Sequence, residues 1–140
     1  VSEELTRHQI RERAFQTLFA LNANKEGDKQ AIYEQLLKPD EGEMAIVPDY
    51  LNTLVDGVQE HQADLDEEIT QYLSEGWSLN RIAKTDLIIL RIAFYEVKFE
   101  EEVPNTVAVN EALELTKRFS DDRSRRFVNG VLSHTIDSAK

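Results

Sequence analysis

PNTVAVNEALELTKRFSDDRSRRFVNGVL, Pro104 to Leu132, decides the fold. Pro104-Asn105-Thr106 is one helix-start signal and Ser120-Asp121-Asp122 is a second, so the stretch reads as helix, tight polar corner and helix. In the first helix Ala108, Ala112, Leu115 and Phe119 recur at i, i+4, i+7 and i+11, the spacing of a core stripe. In the second, Val128, Val131, Leu132 and Thr135 point inward, whereas Arg126, Asn129 and Ser133 fall on a different arc and face outward. The corner between them holds Lys117, Arg118, Arg123, Arg125 and Arg126. These five cations sit in a chain whose formal net charge is −11.

The charge is segregated along the chain. Half of the sixteen basic residues fall in two short segments, 7–13 and 117–126, where only Glu12, Asp121 and Asp122 oppose them. Residues 14–116 carry a net charge of −14. Overall acidity argues against binding long duplex nucleic acid, but a fold that joined the two ends would carry one basic patch suited to a short anionic segment. With 140 residues, 41% of them apolar, the chain is long enough for one core and too short for two ordinary domains. One unit is expected over 1–140, with an N-terminal helical half at about 1–75 and a C-terminal half at about 76–140. The absence of cysteine removes disulfides, thiolate metal sites and a cysteine nucleophile. No apolar run reaches membrane-spanning length, and VSEELTRHQIRER lacks the apolar segment of a signal peptide. A soluble, cytoplasmic protein is expected; the opening valine is read as the loss of a starting residue.

Helical signals fill the rest of the chain. Thr6-Arg7-His8-Gln9 has the form of a capping box, opening a helix with Ile10, Ala14, Thr17, Leu18 and Leu21 on its inner stripe. His8, Arg11, Phe15 and Phe19 form a neighbouring stripe. Phe19 lies roughly opposite Ile10 and has two readings, packing against another helix or a stacking platform for a base beside Arg7 and Arg11. A short helix with Ile32, Tyr33, Leu36 and Leu37 follows, then a loop over 38–47 and a helix opened by Pro48. A break is expected near His61 to Asp64, with Asp64 and Glu67 capping the restart and Gly76 ending it. Ser78 is a candidate cap for a short turn holding Leu79, Arg81 and Ile82. The segment from about Thr85 to Phe99 is apolar on most sides, the pattern of a buried helix, with Arg91 and Glu96 expected at its wet edge or paired with neighbouring charges. Neither Asp56-Gly57 nor Asn129-Gly130 marks a hairpin, because both lie inside helical periodicity, and Gly130 is read as permitting a close helix crossing. The fold class is therefore all-α.

Chemical motifs are missing. There is no glycine-rich phosphate loop, no HExxH and no GxSxG elbow. His8, His61 and His134 are scattered, Glu111 and Glu114 lack the histidine a di-metal bundle needs, and 64–68 lacks the glycine and ligand spacing of a calcium loop. No catalysis, metal or cofactor is expected.

Several blocks together resemble the NusB family of transcription antitermination factors: Arg11-Glu12, Ala14 with Gln16 to Phe19, DLIILRIAFYE at 86–96, Pro104, Val109 to Ala112 with ELTKRF, and Phe127 to Leu132. The resemblance implies two small packed helical bundles forming one compact domain. It implies a non-enzymatic role in the RNA polymerase antitermination complex, binding boxA RNA of ribosomal transcripts together with NusE, a small-subunit ribosomal protein. The family's arginine-rich start falls on Arg7, His8, Gln9 and Arg11, with His8 and Gln9 where further arginines are common, and its aromatic position on Phe19. Its second RNA-facing segment falls on Lys117, Phe119, the corner through Arg123 to Ser124, Arg126 and Asn129. Tyr95 and Glu96 are assigned to the NusE surface. Two other readings stand beside this one. A protein-only adaptor or self-associating homodimer would bind without RNA. An RNA methyltransferase's binding module would need more chain than ends at Lys140.

Overall fold

The periodic apolar residues fold as helices throughout. Among the described residues there are seven: α1 (Arg7–Ala23), α2 (Lys29–Leu37), α3 (Asp49–Glu60), α4 (Gln62–Gln71), α5 (Lys84–Phe99), α6 (Asn105–Phe119) and α7 (Asp122–Ile136). A 3-10 turn at Leu79–Arg81 precedes α5. This computed structural model describes residues 4–136, so the readings made at Val1 and Lys140 lie outside the described residues. The all-α expectation matches the observed fold, and no strand occurs among the described residues. Two compact units divide the chain, 1–56 and 57–140.

Unit 1 begins with the expected capping box. The Thr6 hydroxyl accepts the Gln9 N–H at 3.1 Å while the Thr6 N–H donates to Gln9 Oε1 at 2.9 Å. Two otherwise unpaired amides at the start of α1 are thereby satisfied. The stripe Ile10, Ala14, Leu18 and Leu21 is buried, as are Phe15, Tyr33 of α2 and Leu51, Leu54 and Val55 of α3. Asp28 caps α2 through the Gln30 N–H at 3.0 Å, and Glu34 reaches from α2 to accept the Ala45 N–H at 3.0 Å, which fixes the loop before α3. Lys29 pairs with Asp56, joining α2 to the end of this unit's share of α3. Tyr33 is 1% exposed and its hydroxyl makes no hydrogen bond among the described residues. Burial, helped by the Asp56 carboxylate, pushes its ionisation well above the ordinary tyrosine value.

Unit 2 is built on α5, whose residues from Asp86 to Glu96 are all buried. The expectation of a wet edge at Arg91 and Glu96 fails: they are 7% and 1% exposed. The alternative of pairing holds for Arg91, which grips Asp66 of α4 with both ends of its guanidinium at 2.7 and 2.9 Å. Such a bidentate pair offsets the cost of burying the cation. The break before α4 falls at His61 as expected, but neither His61 nor Asp64 works as a side-chain cap; instead the His61 ring stacks on Phe99 at 4.2 Å. The helix then ends at Gln71, ahead of Gly76, which sits in a turn with φ +88°. Ser78 opens the 3-10 turn without a side-chain cap bond. In α6 and α7 the predicted stripes are buried at Ala108, Ala112, Leu115, Val128, Val131, Leu132 and Thr135. Asn105 Nδ2 ties the two together by donating to the Thr135 carbonyl at 2.8 Å.

The close crossing is at Gly57, not at Gly130. A Cβ on residue 57 would clash with the Tyr95 ring edge and hydroxyl of α5, whereas a Cβ on Gly130 would meet nothing within 4 Å. Periodicity marks both positions as helical but does not tell which one faces a neighbour. Gly57→Ala should therefore lose about 1–3 kcal/mol through overpacking. Gly130→Ala, at an exposed helical site, should gain up to about 1 kcal/mol from helix propensity. Urea-unfolding midpoints of the two variants check both signs, and equal shifts would contradict this packing.

A polar latch holds the start of α5 to the start of α7. The Ser124 hydroxyl donates to Asp86 Oδ2 at 2.9 Å and accepts from Ser120 at 2.7 Å. The other Asp86 oxygen is buried with no hydrogen-bond partner among the described residues. Burial raises the Asp86 carboxyl above its ordinary value, against the lowering effect of the Ser124 bond. Its contribution to stability is thus fully present below the unfolded carboxyl's pKa and lost as pH rises through the elevated folded one. Asp86→Asn keeps an acceptor for Ser124 and cannot ionise. Its stability relative to the parent should increase between about pH 3 and about pH 7, as read by urea midpoints at each pH.

Candidate nucleic-acid interface

The cationic positions are divided between the units. In unit 1, Arg7 is exposed at the first turn of α1 and its guanidinium lies 3.8 Å from the centre of the Tyr50 ring of α3, a cation–π contact that orients it. Tyr50 lies 43 positions away in sequence, so local spacing gave no sign of it. His8 is half-buried with Nε2 3.6 Å from Glu12. Arg11 is only 3% exposed, which makes it part of the packing of α1. Arg13, which had no assigned role, is half-buried and donates to Gln16 at 3.3 Å. Phe19 is 41% exposed, with its ring 5.9 Å from that of the buried Phe15. One edge of Phe19 is thus braced while a large part of the ring faces solvent, the arrangement a stacking platform needs.

In unit 2 the corner between α6 and α7 gathers the rest. Lys117, Arg118, Arg123, Arg125, Arg126 and Asn129 are exposed, and Phe119 is half-buried beneath the Arg118 guanidinium at 5.3 Å. The corner's shape comes from its polar residues. Asp121 accepts the Ser124 N–H at 2.8 Å and so caps the first turn of α7. That bond, with Arg123 beside it, holds the Asp121 carboxyl below the usual carboxylate range. Ser124 itself is committed to Asp86 and Ser120, so its hydroxyl shapes the corner from within. The acid at 121 is engaged by the backbone, which leaves the corner's outward side chains predominantly cationic. Such a surface can hold phosphates electrostatically and place a ring beside them.

Tyr95 and Glu96 belong to the buried body of α5, at 7% and 1% exposure. The Tyr95 hydroxyl donates to Glu100 at 3.4 Å, and burial together with that carboxylate raises its ionisation. The exposed aromatic surface of unit 2 is elsewhere, at Trp77 and Phe99. Neither carried an assigned role in the sequence, because an isolated ring after a glycine or at a helix end has no periodic signal.

Comparison with known proteins places the chain in a family. The NusB family model matches residues 8–137. The Transcription antitermination protein NusB of Levilactobacillus brevis is 68% identical over 133 residues, covering 95% of this chain and 94% of the relative. That of Lactiplantibacillus plantarum is 62% identical over 132 residues, covering 94% and 95%. Among solved structures, T. maritima NusB superposes with a TM-score of 0.81 at 32% identity, covering 97% of this chain and 94% of that one. A crystal structure of the antitermination factors NusB and NusE in complex with dsRNA gives 0.77 at 22% identity, covering 96% and 100%, a likeness of fold. On the family match and these relatives, the chain belongs to the NusB family.

Proposed function

We propose that this chain is a transcription antitermination factor that binds boxA RNA of ribosomal transcripts together with NusE, within the antitermination complex of RNA polymerase in the cytoplasm. The observation that carries the reading is the α6–α7 corner, where Lys117, Arg123 and Arg126 stand exposed and Phe119 lies half-buried beneath Arg118, in a chain of net charge −11. A local cationic surface on an acidic body favours a short anionic strand and repels long stretches of phosphate elsewhere. The segment at Arg7, His8 and Phe19 supplies a second set of contacts, with Arg7 for phosphate and Phe19 for a base. Relatives as close as 68% identical are named for transcription antitermination, which supports the same role. The acidic stretch 14–116 offers a basic protein partner such as NusE a complementary charge. The role requires no chemistry beyond binding, so the chain acts as a non-enzymatic factor.

Arg11 and Arg126 behave differently in this account. Arg126→Ala removes an exposed cation: RNA affinity should fall at low salt with unchanged stability, and the salt slope should shrink by about 0.7 for a single strand. Arg7→Ala should weaken RNA in the same way and, by removing the contact with Tyr50, cost about 0.5–1 kcal/mol of stability. Arg11→Ala strips a buried side chain and should lower the unfolding midpoint as well as RNA affinity. Titrating boxA RNA and a scrambled control, each alone and with NusE, at two salt concentrations checks these outcomes. A preference for boxA that tightens with NusE is expected. Equal binding of the two RNAs in both conditions would overturn the reading in favour of a protein-only adaptor.

A further inference from the structure

The turn between α4 and α5 carries an aromatic cluster to which the basic corner gives no role. Trp77 is 46% exposed, although its ring lies 6.2 Å from that of Phe127 in α7. The Arg81 guanidinium sits 5.5 Å from the centre of the indole, and Arg81 Nη1 donates to the Gly76 carbonyl at 3.1 Å. The cation is therefore held at the ring by the backbone of the same turn, and the indole is braced on two sides. On α7, Arg123 lies four residues before Phe127 and Gly130 three after, both neighbours on its helical face. Gly130 is exposed, and a Cβ there would meet open space. Nothing among the described residues lies within 4 Å of that position, so residue 130 leaves the ground beside Phe127 uncovered on its side.

We propose that the exposed indole of Trp77, braced by Arg81 and Phe127, is a stacking platform for one nucleobase of single-stranded RNA. It extends the basic corner of unit 2 by a nucleotide, and it rests on the RNA-binding function proposed above. An aromatic face with a fixed cation at its edge suits a base joined to a phosphate, since the ring takes the base and the guanidinium takes the charge. Arg123 and Arg126 add positive potential on the adjoining helix, opposed by the exposed acids Glu75 and Asp122. A tryptophan kept for packing alone has no need of nearly half its surface in water.

Trp77 is the one tryptophan in the chain, so native emission reports this site. The test is to follow that emission while boxA RNA is titrated into the full chain and binding is measured independently by anisotropy of labelled RNA. Quenching that tracks binding is expected. Trp77→Leu, which keeps apolar bulk against Phe127, should weaken RNA by between about fivefold and a hundredfold, whereas Trp77→Phe should stay near the parent; far-UV circular dichroism establishes that both fold. RNA binding with unchanged emission and parent-like affinity of the Leu variant would overturn this platform and leave the RNA-binding function standing. Emission that responds to NusE but not to bound RNA would overturn it in favour of a protein contact. If anisotropy shows no RNA bound at all, the RNA-binding function itself fails.

Discussion

The Tyr95 ring occupies the space where residue 57 would carry a side chain, so the end of α3 can pack against α5 only through a glycine. α5 is buried from Asp86 to Glu96, so each neighbouring element must meet it without leaving gaps or polar groups unpaired. Glycine at 57 leaves free the space that the tyrosine ring fills. On the α4 side, the buried Arg91 is balanced by the fork of Asp66. At its start, Asp86 is tied to Ser124 of α7. Two of its buried charged groups, Arg91 and Asp86, are bonded to residues of α4 and α7, which ties those helices to it.

The same latch links the core to the basic corner between α6 and α7. Ser124 belongs to the corner sequence SDDRSRR, yet its hydroxyl points to Asp86, and its amide is taken by Asp121. These bonds tie the corner to α5 and to its own first turn while its arginines remain outside. Positive charge concentrated on a rigid turn loses less conformational entropy on binding than the same charge on a flexible tail. The surrounding acidity adds selectivity in place of affinity, since only a ligand that fits the local patch avoids repulsion.

Much of this was legible in the chain. Capping at Thr6, the stripes of α6 and α7, the burial of α5 and the break at His61 all depend on neighbours within one or two turns, which spacing reports directly. The candidate site was legible in part. Exposure of Phe19, Arg126 and Asn129 agrees with their helical arcs, but Arg11, which shares a stripe with Phe19, is buried. A long cationic side chain gives no periodic sign of whether its stem packs along the protein or reaches into water. Tyr95 and Glu96 show the same ambiguity for the opposite reason: on a helix apolar nearly all round, no arc is marked as outer.

By itself the sequence determined that the chain is helical, where its helices start, which stripes are apolar and that its cations lie in two short segments. These are properties of residues close in sequence, set by backbone geometry and the hydrophobic period. Only the tertiary structure decided which glycine admits a neighbouring ring, that Arg7 lies over Tyr50, that Arg91 pairs with Asp66, and that Trp77 stands exposed between Arg81 and Phe127. With the exception of the four-residue step from Trp77 to Arg81, these contacts join residues 25 to 50 positions apart. At such separations the pairing is selected by how whole helices pack, a choice that no local pattern records.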